Sequence, residues 1–159
     1  MRNQKKAIVL LIVMAAWLIL MWKLSTANGA ETLRDSMRFA RKIGCWIYDA
    51  PTEAQLNHLN LFLRKMAHVF LYAVLGCIFA MFWQLLLERY AIWKRILPPA
   101  LCCTAVAFLD ELQKIPIAGR HFSCSESFLN AGSALAVILI FYFCVWVCTR
   151  NEPKQKTSL

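Results

Sequence analysis

Arg64, His68 and Tyr72 stand four residues apart in this chain. In a helix that spacing stacks them in one stripe, with Tyr72 about 6 Å further along the axis than His68 at 1.5 Å rise per residue. Asp110 and Glu111 close a separate apolar run, and Glu126 and Asn130, again four apart, open another, with Arg120 in the segment that connects the two. An imidazole titrates near neutral pH, so His68 is the natural proton carrier if the group is catalytic. Glu111 is then the alternative base, Tyr72 an orienting group and Asp110 a further candidate. Arg120 offers a planar fork that grips a carboxylate or phosphate through two parallel bonds. Arg64, Lys65, Lys114 and Arg120 can balance the three carboxylates Asp110, Glu111 and Glu126, so the same residues also fit a purely structural set of interhelical salt bridges. Asp110, Glu111, Glu126 and His68 are hard ligands in type, but they follow no metal-spacing motif, and no metal or other cofactor is expected.

The elements that must position these groups follow from composition. Of 159 residues, 60% are hydrophobic and 17% charged, well above the roughly 45–50% apolar share of soluble domains. Soluble enzyme classes are excluded first, and five Gly and five Pro are too few for a linker-rich or fibrous chain. The net charge of +9 is carried by clusters between apolar runs, a pattern that addresses lipid headgroups rather than nucleic acid. Five of seven cysteines (Cys77, Cys102, Cys103, Cys144, Cys148) lie within apolar runs, where Cys acts as a small hydrophobe. Cys45 and Cys124 fall outside the runs and leave a disulfide open.

The first run, Ala7 to Trp22, follows Arg2, Lys5 and Lys6. It reads as a signal peptide or an uncleaved anchor, and Trp17 and Trp22 fit the anchor better. Residues 31–48 place Leu33, Met37, Ala40, Ile43 and Ile47 at helical spacing, with Arg34, Arg38, Arg41 and Lys42 on other faces, as in an amphipathic helix lying in the membrane interface. Thr52-x-x-Gln55 is a capping box for a helix that runs through His58 and Arg64 into Met66–Leu87. A third run, about 93–111, carries Pro98 and Pro99 near its start. Ser123-x-x-Glu126 is a second capping-box pattern before Ser127–Cys148. The expected fold is all-α and polytopic, with four transmembrane helices at about 7–24, 64–87, 93–111 and 126–148 and an interfacial helix at about 31–48. Gly76 and Gly132 are the expected points of close helix approach.

Successive spans alternate direction, so the start of the second, the end of the third and the start of the fourth share one membrane edge, which holds the polar residues. With both termini in the cytoplasm, nine of the eighteen Lys and Arg fall inside, in short tails and one tight loop where the positive-inside rule applies best.

The segment Arg64-Lys65-Met66-Ala67-His68-Val69-Phe70-Leu71-Tyr72-Ala73-Val74-Leu75-Gly76 resembles the R-K-x-A-H-x-x-x-Y-x-x-L-G stretch of the VanZ-like membrane proteins. Asp110-Glu111, Gly119-Arg120, Glu126 and Asn130 follow with that family's spacing. The two segments cover roughly 45 to 50 residues, and the four-helix layout carries the resemblance across one domain, 1–159. The family's usual Gln is Lys114 here, its Pro is Ala118, its Asp is Glu126, and its glycine after the Asn falls at Ser133, where this chain has Gly132 one residue earlier. The changes at Lys114 and Glu126 alter charge or reach inside the polar group.

The resemblance implies a multi-pass protein of a bacterial cell membrane. The family is named for an accessory factor that lowers susceptibility to teicoplanin, more than to vancomycin, without making altered cell-wall precursors. The leading expectation is a binding role at the outer leaflet. Arg64, Lys65, His68, Tyr72, Asp110, Glu111, Arg120, Glu126 and Asn130 would engage an anionic lipid headgroup, a lipid-linked cell-wall precursor or the acylated glycopeptide. The alternatives are an integral membrane enzyme acting on an envelope lipid, with His68 or Glu111 as acid and base, and a structural partner of another membrane protein.

Overall fold

The computed structural model describes residues 2–26, 29–117 and 122–151, and every regular element among them is a helix. In chain order these are α1 (Arg2–Thr26), α2 (Gly29–Ile47), α3 (Glu53–Leu87), α4 (Ile92–Leu112) and α5 (Cys124–Asn151). Within α1, α3, α4 and α5 lie four segments long and apolar enough to cross a membrane, Gln4–Thr26, Glu53–Leu87, Ile92–Leu112 and Cys124–Arg150. Large apolar side chains such as Ile12, Phe70, Leu101, Ile140 and Phe143 are all more than half exposed. Water would penalise such a surface, whereas a bilayer accepts it.

The capping box at Thr52 forms in full. Thr52 Oγ1 accepts from the Gln55 amide at 3.3 Å, and the Gln55 side chain accepts from the Thr52 amide at 2.9 Å. From there α3 runs 35 residues without a break, about 52 Å at 1.5 Å per residue and so longer than the roughly 30 Å of a bilayer core. The excess is its first third, and α2 packs beside it. Ala40 and Gly44 face α3, where a Cβ added at Gly44 would meet Leu56 Cδ2 at 2.7 Å.

The apolar stripe of α2 divides more finely than its sequence spacing suggests. Small residues turn to α3, while Leu33 and Ile47, expected on the same stripe, are exposed with Phe39 and Trp46, the last 95% accessible. Backbones approach closely only where side chains are small, so the large members of the stripe are left outside. Arg34, Arg38, Arg41 and Lys42 are exposed on the other face. Arg41 reaches Glu53 at 3.2 Å, a contact of little energetic weight at this exposure.

The core lies between α3, α4 and α5 and is built on Tyr72, Leu75, Phe79, Cys103, Ala107, Ala134, Ile138 and Tyr142. Gly76 and Ala134 set the α3–α5 spacing: a Cβ on Gly76 would stand 2.6 Å from the Ala134 carbonyl oxygen. Gly132 has no such role. It is exposed, with no atom within 4 Å of an added Cβ, because α5 presents Ala131 and Ala134 to its neighbours instead. Tyr142 donates to the Ala80 carbonyl at 3.4 Å. On the other side of α3, Trp17 Nε1 donates to the Leu71 carbonyl at 3.1 Å, joining α1 to the bundle. Pro98 and Pro99 sit in the second turn of α4 rather than opening it. The tight loop before α4 is tied by Arg95, which donates to the carbonyls of Tyr90 and Glu88 and to Gln84. That satisfies carbonyls left open at the end of α3. All seven cysteines are free thiols, Cys45 and Cys124 included.

Candidate functional site

The middle of α3, where its apolar span begins, the end of α4 and the beginning of α5 meet at one end of the bundle, as alternating helix direction requires. Arg64, His68 and Tyr72 descend α3 along one face. All three line a cavity of about 500 Å³, shared with Asp110 from α4, Lys114 from the turn after it, and Glu126 from α5. Its volume is within the roughly 300–1,000 Å³ of small-molecule sites. Met21 and Ser25 of α1 and Thr32 and Ser36 of α2 complete the wall, so every helix contributes.

The cation at the centre of this cluster is Lys114, one of the four that the sequence offers to balance the carboxylates and the position where the family pattern has Gln. Its side chain is 5% exposed. Nζ donates to Glu111 Oε1 and lies 3.5 Å from Glu126 Oε2 and 3.9 Å from Asp110 Oδ2. The signal was present in the chain, since Lys114 follows Glu111 by three residues and Asp110 by four, the spacing that brings side chains together. The helical hydrogen-bond pattern carries just far enough past Leu112 to preserve it, with the Lys114 amide donating to the Glu111 carbonyl at 3.1 Å. Gln113 adds a 2.7 Å bond from Nε2 to Asp110 Oδ1.

Other groups are placed less symmetrically. Glu111 is fully buried behind Lys114, and its Oε2 has no hydrogen-bond partner. Tyr72, 1% exposed, brings its hydroxyl beside the Asp110 carboxylate without a hydrogen bond of full geometry. Half-buried His68 faces the charges of Lys114, Glu126, Asp110 and Arg64. Ser123 Oγ accepts from the Glu126 amide at 3.3 Å, the N-cap half of the expected box, while the Glu126 carboxylate points at Lys114.

Among the described residues the ion pairs of this cluster all converge on Lys114, and Arg64 and Lys65 make none. Arg64 and Lys65, two of the four cations offered to balance the carboxylates, take no part in doing so among the described residues. Lys114 takes the carboxylates, and the two α3 cations are left over. Asn130 is fully buried on α5, and both polar atoms of its amide are unpartnered. Arg120 and the adjoining Gly119 lie outside the described residues. No group of three or more His, Cys, Asp or Glu is arranged to hold a metal ion among the described residues.

A space lined by two cations, two carboxylates, an imidazole and a phenol can bind a polar group that enters from the membrane surface, and it can move a proton through His68. No protein-family model, curated protein or solved structure matches the chain.

Proposed function

We propose that this chain is a VanZ-like accessory protein of a bacterial cell envelope that binds the headgroup of a membrane amphiphile at the outer leaflet. One observation carries this reading: side chains from α3, α4 and α5, including Arg64, His68, Asp110, Lys114 and Glu126, converge on a single cavity of about 500 Å³ at one end of a membrane bundle. A structural lock would close around its ions, whereas here the ions border open space. The exposed Leu33, Phe39 and Trp46 of α2, set against its arginines, support placement of that helix in the interface beside the cavity. The short basic tails and the Arg89–Arg95 loop support a cytoplasmic position for the opposite end. The phenotype proposed from the resemblance is lowered susceptibility to teicoplanin, whose acyl chain brings it to the membrane surface.

The experiment is glycopeptide susceptibility in a sensitive Gram-positive host that expresses the wild type, His68→Gln or Asp110→Asn, with membrane levels measured by blot. The wild type is expected to raise tolerance to teicoplanin more than to vancomycin, and the two variants, present at equal levels, are expected to lose the effect. A wild type that accumulates in the membrane and changes neither susceptibility would overturn the phenotype. Full activity of both variants would reduce the cavity to packing.

A further inference from the structure

Across the wall made by Arg64, His68 and Glu126 lies a second chamber of about 120 Å³. By the liquid volume of water it has room for roughly four molecules, or for one tetrahedral oxyanion, and is too small for a whole headgroup. It is lined by Asn130, fully buried with neither Nδ2 nor Oδ1 hydrogen-bonded, by the basic residues Arg64 and Lys65, which make no ion pair with any described carboxylate, and by the dividing residues His68 and Glu126. A buried amide without partners is costly, and it is retained where something else completes its bonds. The remaining lining is Leu61 and Leu129, both exposed at the bundle surface, so the chamber borders the apolar surroundings of the protein.

The two chambers differ in chemistry. The large one presents two carboxylates, Asp110 and Glu126, and the Tyr72 phenol, and the Lys114 ammonium there is already engaged by carboxylates. The small one has more donors than acceptors: a guanidinium fork, an ammonium and an amide stand against the one carboxylate of Glu126, which borders both chambers. Donor-rich pockets with an arginine select phosphate oxygens, and acceptor-rich ones select amines and hydroxyls.

We propose that the small chamber is the phosphate subsite for a lipid phosphodiester, with one ester arm leaving between Leu61 and Leu129 into the bilayer and the other carrying an amine or hydroxyl group into the large chamber against Asp110 and Glu126. This rests on the headgroup-binding reading and specifies where the phosphorus sits and which headgroups fit. Arg64, His68 and Glu126, which line both chambers, stand at the ester junction. A phosphomonoester fills only the small chamber, and a neutral glyceride leaves the Asn130 amide unsatisfied.

The test uses the full chain in detergent micelles, titrated with dioctanoyl phosphatidylethanolamine, dioctanoyl phosphatidic acid and dioctanoylglycerol, with the rise in unfolding temperature as the readout. The wild type is expected to bind phosphatidylethanolamine best, phosphatidic acid more weakly and dioctanoylglycerol least. Asn130→Leu, close in shape but without polar atoms, should weaken both phospholipids about tenfold or more and leave dioctanoylglycerol unchanged. Arg64→Gln, at a half-exposed position that tolerates exchange, should do the same. Asp110→Asn should erase only the advantage of phosphatidylethanolamine over phosphatidic acid. If phosphatidylethanolamine binds and responds to Asp110→Asn while Asn130→Leu and Arg64→Gln bind like the wild type, the headgroup reading stands and the phosphate subsite is wrong. If none of the three lipids raises the unfolding temperature, both fail.

Discussion

Replacing Lys114 by methionine is expected to destabilise the protein by about 3–5 kcal/mol, the cost of removing one partner from a buried ion pair. The ammonium bonds Glu111 and lies within 4 Å of Asp110 and Glu126. Without it, the fully buried Glu111 carboxylate and the nearly buried Asp110 stand close together with nothing opposing their charge. Methionine fills the same volume, so the loss reports charge and not a cavity. Adding Glu111→Gln should restore part of the lost stability, because it removes the charge Lys114 was opposing. Thermal unfolding in detergent, paired with the steady-state level in the membrane, reads both effects. A Lys114→Met protein as stable as the wild type, or one that Glu111→Gln weakens further, would show that Lys114 does not hold this cluster together.

The second large effect is expected at Gly76. A Cβ there would meet the Ala134 carbonyl oxygen at 2.6 Å and the Ala134 Cα at 3.0 Å, and neither can move without moving the α5 backbone. Overpacking of this kind costs about 1–3 kcal/mol and sometimes more, so Gly76→Ala should lower the unfolding temperature clearly and Gly76→Val should abolish accumulation in the membrane. Because α3 and α5 carry opposite walls of both chambers, lipid binding should fail together with the packing. Gly132→Ala is the internal control. It adds a methyl into open space and replaces a poor helix former, so its unfolding temperature should equal or slightly exceed that of the wild type. Equal effects at Gly76 and Gly132 would mean that the close α3–α5 approach does not set the fold.

The helices were legible because their signals are local. Apolar runs of span length, the Thr52 cap and the four-residue spacing of Arg64, His68 and Tyr72 each depend on a few neighbouring residues, and the unbroken course of α3 through Arg64 follows from them. Helix alternation then brought Asp110, Glu111, Glu126 and Asn130 to the α3 stripe before any contact was known. What stayed hidden depends on rotation about a helix axis and on partners far along the chain. Gly76 and Gly132 are alike as sequence, and only the facing of α5 separates a contact glycine from an exposed one. The α2 stripe was readable, but not its division into a small-residue seam against α3 and an outer row of Leu33, Phe39, Trp46 and Ile47. Lys114 was legible in part. It was one of four cations able to balance the carboxylates, but that it and not Arg64 or Lys65 takes them depends on the turn after α4 and the reach of side chains across the bundle. The bonds of Trp17 to Leu71 and Tyr142 to Ala80 span more than fifty residues and leave no local trace.

Headgroup binding requires that the large cavity be filled from the membrane. Ala67 lines it from α3 and is exposed, so a phenylalanine at 67 can enter the space without displacing the core. The most direct measurement is native mass spectrometry of the full chain released from mild detergent, with the wild type and Ala67→Phe compared for bound lipid at matched unfolding temperature. The account predicts that the wild type carries a polar lipid as a discrete adduct and that the plugged protein loses it while staying folded. The same adduct on both proteins at equal occupancy would contradict it and leave the polar cluster as internal bracing of the bundle.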